Sequence, residues 1–178
     1  MKRTNRKSLK WLSGLLLAAF SICCIGYQAG FRLNTGVSYP TGLYRLINDK
    51  QNYSKGDLVL FCPPDNLVMA QALARGYIKP GMCKGGFTPV IKKILAVAGD
   101  VVTTDGFVRI NAVTVPDAQT LQADSEGRPL STPGTETLGE GQYFMMSDHQ
   151  PAISFDSRYY GSVSAQNLIG HIKPVLTR

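Results

Sequence analysis

Val90-Ile91-Lys92-Lys93-Ile94-Leu95-Ala96-Val97-Ala98-Gly99-Asp100 is the stretch on which the fold reading turns. Its β-branched and apolar residues predict a strand over 90–98, and Gly99-Asp100 supplies the turn that ends it. Side chains alternate across a strand, so Lys92 and Lys93 point to opposite faces and one of them faces the interior. Burying an ammonium is costly, and a lysine so placed tends to lose its proton. The alternative is an edge strand whose two lysines both snorkel to water.

Short strands are predicted on either side of this one. Lys55-Gly56-Asp57 opens the apolar run Asp57–Phe61, and Asp105-Gly106 precedes a period-two alternation over Phe107–Val113. Gln142–Met146 and Leu168–Val175 read as two more. Asn66–Tyr77 departs from the pattern: it is rich in Ala and Leu, has Asn at a possible N-cap and Gly76 near its end, and predicts a short helix. Residues 117–140, rich in Thr, Ser, Gly, Pro and acids, read as an exposed insertion. The fold class is therefore mainly β with a small helical capping element.

The chain of 178 residues is long enough for one globular domain and too short for two large ones. Its net charge of +7 suggests nucleic acid only until the charges are located. Five of the 19 basic residues lie within the first ten, and from residue 11 onward 14 bases face 12 acids. A duplex-binding surface needs basic residues clustered on the folded part, so no nucleic-acid partner is expected. The basic tail, residues 1–10, leads into an uncharged run from Trp11 to Phe31. As a helix this run rises about 30 Å, the thickness of a bilayer's hydrocarbon core. A cleavable secretory signal shares the layout, but the run is long for one and lacks Ala-x-Ala near its end, so an uncleaved anchor over 11–31 is expected. The positive-inside rule then keeps the tail in the cytoplasm and sends residues 32–178 across the membrane.

Cys23 and Cys24 lie within the apolar run and read as bulk. Cys62 and Cys83 lie in the exported part, 21 positions apart. An even pair in an oxidising compartment suggests a disulfide around the predicted helix, worth about 3 kcal/mol by chain entropy; two unrelated buried thiols are the alternative. Neither CxxC pairs nor His–Cys groupings occur, so no metal is expected. Gly85-Gly86 lacks the spacing of a phosphate loop, no cofactor motif is found, and none is expected.

Three segments carry candidate chemistry. Ser38-Tyr39-Pro40-Thr41-Gly42, a few residues after the apolar run, would alone be a turn. The Lys92-Lys93 pair is the second segment. The third is Ile153-Ser154-Phe155-Asp156-Ser157-Arg158-Tyr159-Tyr160-Gly161, whose bland reading is a capped loop held by an Asp156–Arg158 pair, worth little if exposed.

In this order and spacing, the three segments resemble the serine/lysine signal peptidases. Pro40-Thr41-Gly42-Leu43-Tyr44 after the serine and Phe155-Asp156-Ser157-Arg158-Tyr159-Tyr160-Gly161 near the end are most similar to the conjugative-transfer (TraF-type) branch. The resemblance implies a signal-peptidase-like β fold, with Ser38 as nucleophile and Lys92 as general base. It implies that Ser154 orients the lysine and that Asp156 and Arg158 support the site. Gly99-Asp100 matches the turn after the lysine strand. Two positions depart from the family pattern. Gly36 stands where a hydroxyl residue often contributes to the oxyanion hole, leaving backbone donors, chiefly Ser38 N–H. Ser147-Asp148-His149 stands in place of Gly-Asp-Asn, leaving Asp148 without an assigned role.

The chemistry is coherent with that implication. A serine hydroxyl attacks only when a base takes its proton, and lysine serves only when neutral. Its pKa must therefore fall from about 10.4 to roughly 7–8, which desolvation on an apolar face can achieve. Val90, Ile91 and Ile94 are the expected suppliers of that environment. Of the chain's two histidines, His171 lies in an apolar run and reads as structural. His149 is adjacent to Ser147 and Asp148, and such neighbours do not ordinarily form a triad.

The resemblance implies a membrane-anchored endopeptidase at the bacterial inner membrane. Its catalytic domain would be periplasmic and its substrate an exported, pilin-like precursor. The seven residues from Phe31 to Ser38 reach at most about 25 Å, keeping the serine near the bilayer. In the conjugative branch the acyl-enzyme can be resolved by the substrate's own amino terminus, giving a cyclic pilin; water is the other competent acceptor. Other conjugation or secretion components are further candidate partners. A general signal peptidase is the runner-up, and a non-catalytic assembly factor of a secretion complex is the reading from another class.

Overall fold

The protein is described by a computed structural model covering residues 6–47 and 53–178. The basic tail therefore lies outside the described residues as far as residue 5. Helix α1 runs Arg6–Gln28, and its Lys10–Gln28 portion has mean hydropathy 1.5 with none of it buried in the protein. It is long and apolar enough to cross a membrane. The helix ends three residues before the apolar run does, because Ala29-Gly30 turns the chain and Phe31 opens strand β1 (Phe31–Asn34). Gly30 has φ +89°, and a Cβ there would lie 2.6 Å from the Leu46 carbonyl oxygen, so only glycine allows this approach. Arg32 closes the helix end: its guanidinium donates to the carbonyls of Tyr27 (2.7 Å) and Phe31 (2.9 Å) and lies 3.7 Å above the Tyr27 ring.

The remaining elements are β2 (Gly42–Ile47), β3 (Leu58–Phe61), α2 (Leu67–Ala74), β4 (Val90–Ala96), β5 (Val101–Thr103), β6 (Phe107–Ile110), β7 (Val113–Gln119), β8 (Thr135–Thr137), β9 (Gln142–Met146), α3 (Ser157–Tyr160), β10 (Val163–Ser164) and β11 (Leu168–Thr177). Seven strands form an antiparallel sheet in the order β1-β2-β11-β3-β4-β9-β10, and four form a second sheet ordered β7-β6-β5-β8. The fold is mainly β, as expected.

Strand β4 lies near the middle of the larger sheet, between β3 and β9, with Lys92 paired to Val59 and Lys93 to Leu58. This excludes the edge-strand alternative. On one face Val59, Phe61, Met69, Ile94, Met145 and Tyr160 make the principal core. On the other face Tyr39, Tyr44, Leu60, Ile91 and Ile172 make a smaller one. A bulge between Ile94 and Ala96 shifts the strand, and Ala96 joins Phe144, Met146 and the second sheet in a third cluster. After Gly99, at φ +87°, Asp100 accepts from Lys55 (2.7 Å), Asn111 (2.7 Å) and the Val97 N–H (2.8 Å), so the Gly-Asp turn is a buried polar hub.

Two predicted elements differ from the structure. The alternation over 107–113 is two strands, because Asn111 (φ 51°) and Ala112 (φ 67°) make a tight left-handed turn between β6 and β7. Asn111 suits that conformation and fixes it by accepting from the Val101 N–H at 2.9 Å. Residues 117–140 are only partly an exposed insertion. Strand β7 enters them, β8 lies inside them, and Ala118 and Leu138 are buried in the third cluster with Phe144. Few apolar residues mark this segment, so its polar composition concealed its strands. The predicted helix is found as α2, with the Asn66 side chain accepting from the Met69 N–H at 2.9 Å.

Candidate active site

Ser38 lies in the loop between β1 and β2, and neighbouring side chains hold that loop at nearly every carbonyl. The Asn34 amide donates to the carbonyls of Gly36 (3.3 Å), Tyr39 (3.1 Å) and Pro40 (3.0 Å), while its oxygen accepts from the Gly36 N–H (3.0 Å). Tyr44 donates its hydroxyl to the Pro40 carbonyl at 2.8 Å. Ser147, buried at the end of β9, donates to the Ser38 carbonyl at 2.5 Å and accepts from the Gln150 N–H at 3.0 Å. Loops held in this way keep a hydroxyl in one orientation, which reactions at a fixed geometry require.

Lys92 enters from β4. It is 2% exposed, and its Nζ lies 2.8 Å from Ser38 Oγ and 2.6 Å from Ser154 Oγ. Val59 pairs with it across the sheet, and Val90 and Ile94 share its face. Ile91, expected to share that environment, packs instead on the opposite face with Leu60 and Tyr44. Burial pushes the Lys92 amine down from its ordinary value to about 8, with the Asp156 carboxylate pulling it up and the Arg158 guanidinium pushing it down.

Ser154 is buried, and the segment that carries it is fixed by an internal ion pair. Arg158 Nε lies 2.7 Å from Asp156 Oδ1, and one of its terminal nitrogens lies 2.9 Å from Oδ2. That same nitrogen, Nη2, is also shared with the carbonyls of Pro151 (2.6 Å) and Ser154 (2.9 Å), and Nη1 donates to the Gln119 carbonyl (2.7 Å). The pair is thus fully buried, so the discount for an exposed pair does not apply. Asp156 also caps α3.

Lys93 takes the other face. Its amine pairs with Asp148, whose carboxylate also accepts from the Tyr39 hydroxyl at 2.6 Å. Asp148 therefore has a structural position beside the loop that carries Ser38. His149 stacks on Tyr39 with ring centroids 6.2 Å apart, and His171 lies 3.0 Å from Asp57 beside Tyr53. Gly36 offers no side-chain donor, and its own N–H is committed to Asn34.

These residues open onto a groove of about 350 Å³. It is lined by the 34–39 loop, by Val90–Lys92, and by Ile153 and Phe155. The segment closed by the Cys62–Cys83 disulfide contributes Met69, Tyr77 and Lys79, and the Lys79 amine donates to Thr35 Oγ1 at 3.2 Å. The two cysteines are bonded at 2.00 Å, the pairing expected of them. Asn34, Ser147 and Tyr77 escaped the sequence reading. The signal for Ser147 is a hydroxyl placed directly after an apolar strand, a few residues before Ser154.

An apolar helix followed by an antiparallel sheet with this disulfide-closed insertion is a signal-peptidase-like β fold. A family model described as signal peptidase, peptidase S26, matches residues 7–176, and the chain belongs to that family. It is 40% identical over 163 residues to a plasmid transfer protein TraF of Escherichia coli, covering 90% of each chain. It is 33% identical over 177 residues to a probable conjugal transfer protein TraF of Sinorhizobium fredii, covering 99% of this chain and 93% of that one. To a conjugal transfer protein TraF of Agrobacterium tumefaciens it is 33% identical over 173 residues, with 97% of each covered. A crystal structure of a signal peptidase I from Enterococcus faecalis superposes with a TM-score of 0.38 at 22% identity, covering 68% of this chain and 97% of that one.

Proposed function

We propose that this chain is a membrane-anchored serine endopeptidase in which neutral Lys92 activates Ser38 to process an exported precursor in conjugation. The observation that carries the reading is the 2.8 Å separation of Lys92 Nζ from Ser38 Oγ in a water-poor setting. Lys92 takes the hydroxyl proton as Ser38 Oγ attacks the scissile carbonyl. The oxyanion is met by the Ser38 N–H, and Lys92 returns the proton to the leaving amine. Ser154 holds the amine toward Ser38, while Asp156 and Arg158 hold Ser154. The ester that remains is resolved by water or by the precursor's own amino terminus.

Helix α1 is the anchor in this reading, with the tail in the cytoplasm and residues 32–178 forming the periplasmic peptidase domain at the inner membrane. The TraF relatives favour a pilin-like subunit of a conjugation apparatus over general secretory precursors as substrate. The test is replacement of Ser38 by Ala and, separately, of Lys92 by Ala, followed by mass spectrometry of candidate pilins. Both variants are expected to leave the precursor unprocessed; cleavage by either one rejects the dyad. A product lighter by one water than the linear fragment identifies cyclisation.

A further inference from the structure

Residues 119–130 connect two segments that are remote in sequence, the one that carries Tyr77 and the one that carries Phe155, Arg158 and Tyr159. At one end the Gln119 carbonyl accepts from Arg158 (2.7 Å), and the Leu121 N–H lies 3.4 Å from the Tyr159 hydroxyl. At the other end the Tyr77 hydroxyl donates to the Asp124 carboxylate, and Arg75 donates to the Pro129 carbonyl at 2.8 Å. The Asp124 turn is held internally: its carboxylate accepts from the Glu126 and Arg128 N–H groups, both at 2.9 Å, and from Arg128 Nε at 2.6 Å. The Arg128 guanidinium also lies 5.6 Å above the Tyr77 ring. Tyr77 lines the groove and packs on Phe155 at 5.2 Å, and Phe155 stacks on Tyr159 at 5.1 Å. The Tyr77–Phe155 wall is thus gripped from behind at both ends by one segment.

We propose that residues 119–130 are a strap that sets the width of the groove, with Tyr77 as the specificity-determining residue that it positions. The substrate part of this proposal rests on the peptidase reading. An uncharged aromatic wall held at a fixed position limits which side chains of an extended peptide fit beside it. Releasing the Tyr77 hydroxyl from Asp124 lets the disulfide-closed segment move outward, so selection by size weakens while the Ser38–Lys92 chemistry is untouched.

The test uses Asp124→Asn and Tyr77→Phe in the full chain. Amide exchange is read at Arg75, Gly76 and Tyr77, whose N–H groups donate to the carbonyls of Gln71, Leu73 and Ala72. Their protection is expected to fall about tenfold in both variants, as suits loss of one charge-assisted hydrogen bond. In parallel, a pilin precursor is supplied with Ala, Val, Leu or Phe on the acyl side of its mapped cut. The rate differences among the four residues are expected to shrink in both variants with the pH midpoint unmoved. Unchanged exchange overturns the strap, and a rate loss equal for all four residues overturns the role of Tyr77. If the wild-type chain cleaves none of the four, the peptidase reading falls together with the substrate part, and exchange alone decides the strap.

Discussion

Lys92 and Lys93 are neighbours in one strand and end in opposite environments. The first is sealed against Ser38 and Ser154, while the second pairs with Asp148 at a half-exposed surface. The alternation of β4 separates them: Lys92 enters the face of the principal core, and Lys93 the face of the smaller Tyr39–Leu60–Ile91 cluster, where it reaches Asp148 and stays partly exposed. Two identical side chains thereby acquire different chemistry.

The rate of precursor cleavage should rise with pH along a limb centred near 8, where burial holds the Lys92 amine. At pH 7 about a tenth of the enzyme then carries the neutral base. The pH dependence of kcat/KM checks this. A limb centred near 6 would point to a histidine instead.

Stability should carry the same signature. The folded amine titrates near 8 and the unfolded one near 10.5, so the unfolded chain binds more protons between those values. Stability rises with pH across that window, and the penalty of roughly 3 kcal/mol is complete below it. Lys92→Met removes the penalty but also the contacts to Ser38 and Ser154, worth about 1 kcal/mol each. The variant should melt above wild type at pH 7 and lose that advantage by pH 10.5, as thermal unfolding at the two pH values would show. A variant less stable than wild type at pH 7 contradicts the burial cost.

Removing one partner of the Asp156–Arg158 pair leaves the other charge buried and Ser154 unsupported. Arg158→Ala should therefore destabilise by about 3–5 kcal/mol, measured by denaturant unfolding. A loss below about 1 kcal/mol would place the pair in the surface class.

Reducing the Cys62–Cys83 bond should cost about 3 kcal/mol and loosen the wall that carries Met69 and Tyr77. Cleavage should weaken chiefly through KM, with the pH limb unmoved, in Cys62→Ser/Cys83→Ser. A change confined to kcat would instead connect the disulfide to the dyad.

Much of this architecture was legible because it rests on local chemistry. The alternation of β4, the Asn66 cap of α2 and the Gly99-Asp100 turn each leave a signature of a few residues. The Ser38, Lys92 and Ser154 cluster was legible only through a resemblance, since nothing local says that residues so far apart in sequence meet. The supports were hidden for the same reason. Asn34 reads as an ordinary turn residue until its amide is seen spanning three carbonyls, and Ser147 as a mere departure until it meets the Ser38 carbonyl. Residues 117–140 misled because β7 and β8 bury few side chains, so that polar composition outweighed pattern.

The central claim is an uncharged Lys92 beside Ser38, and the most direct measurement is a side-chain NMR titration of the lysine ε-methylene groups in the folded chain. One resonance should titrate near 8 and vanish in Lys92→Met. A Lys92 resonance titrating at an ordinary lysine value would contradict the account.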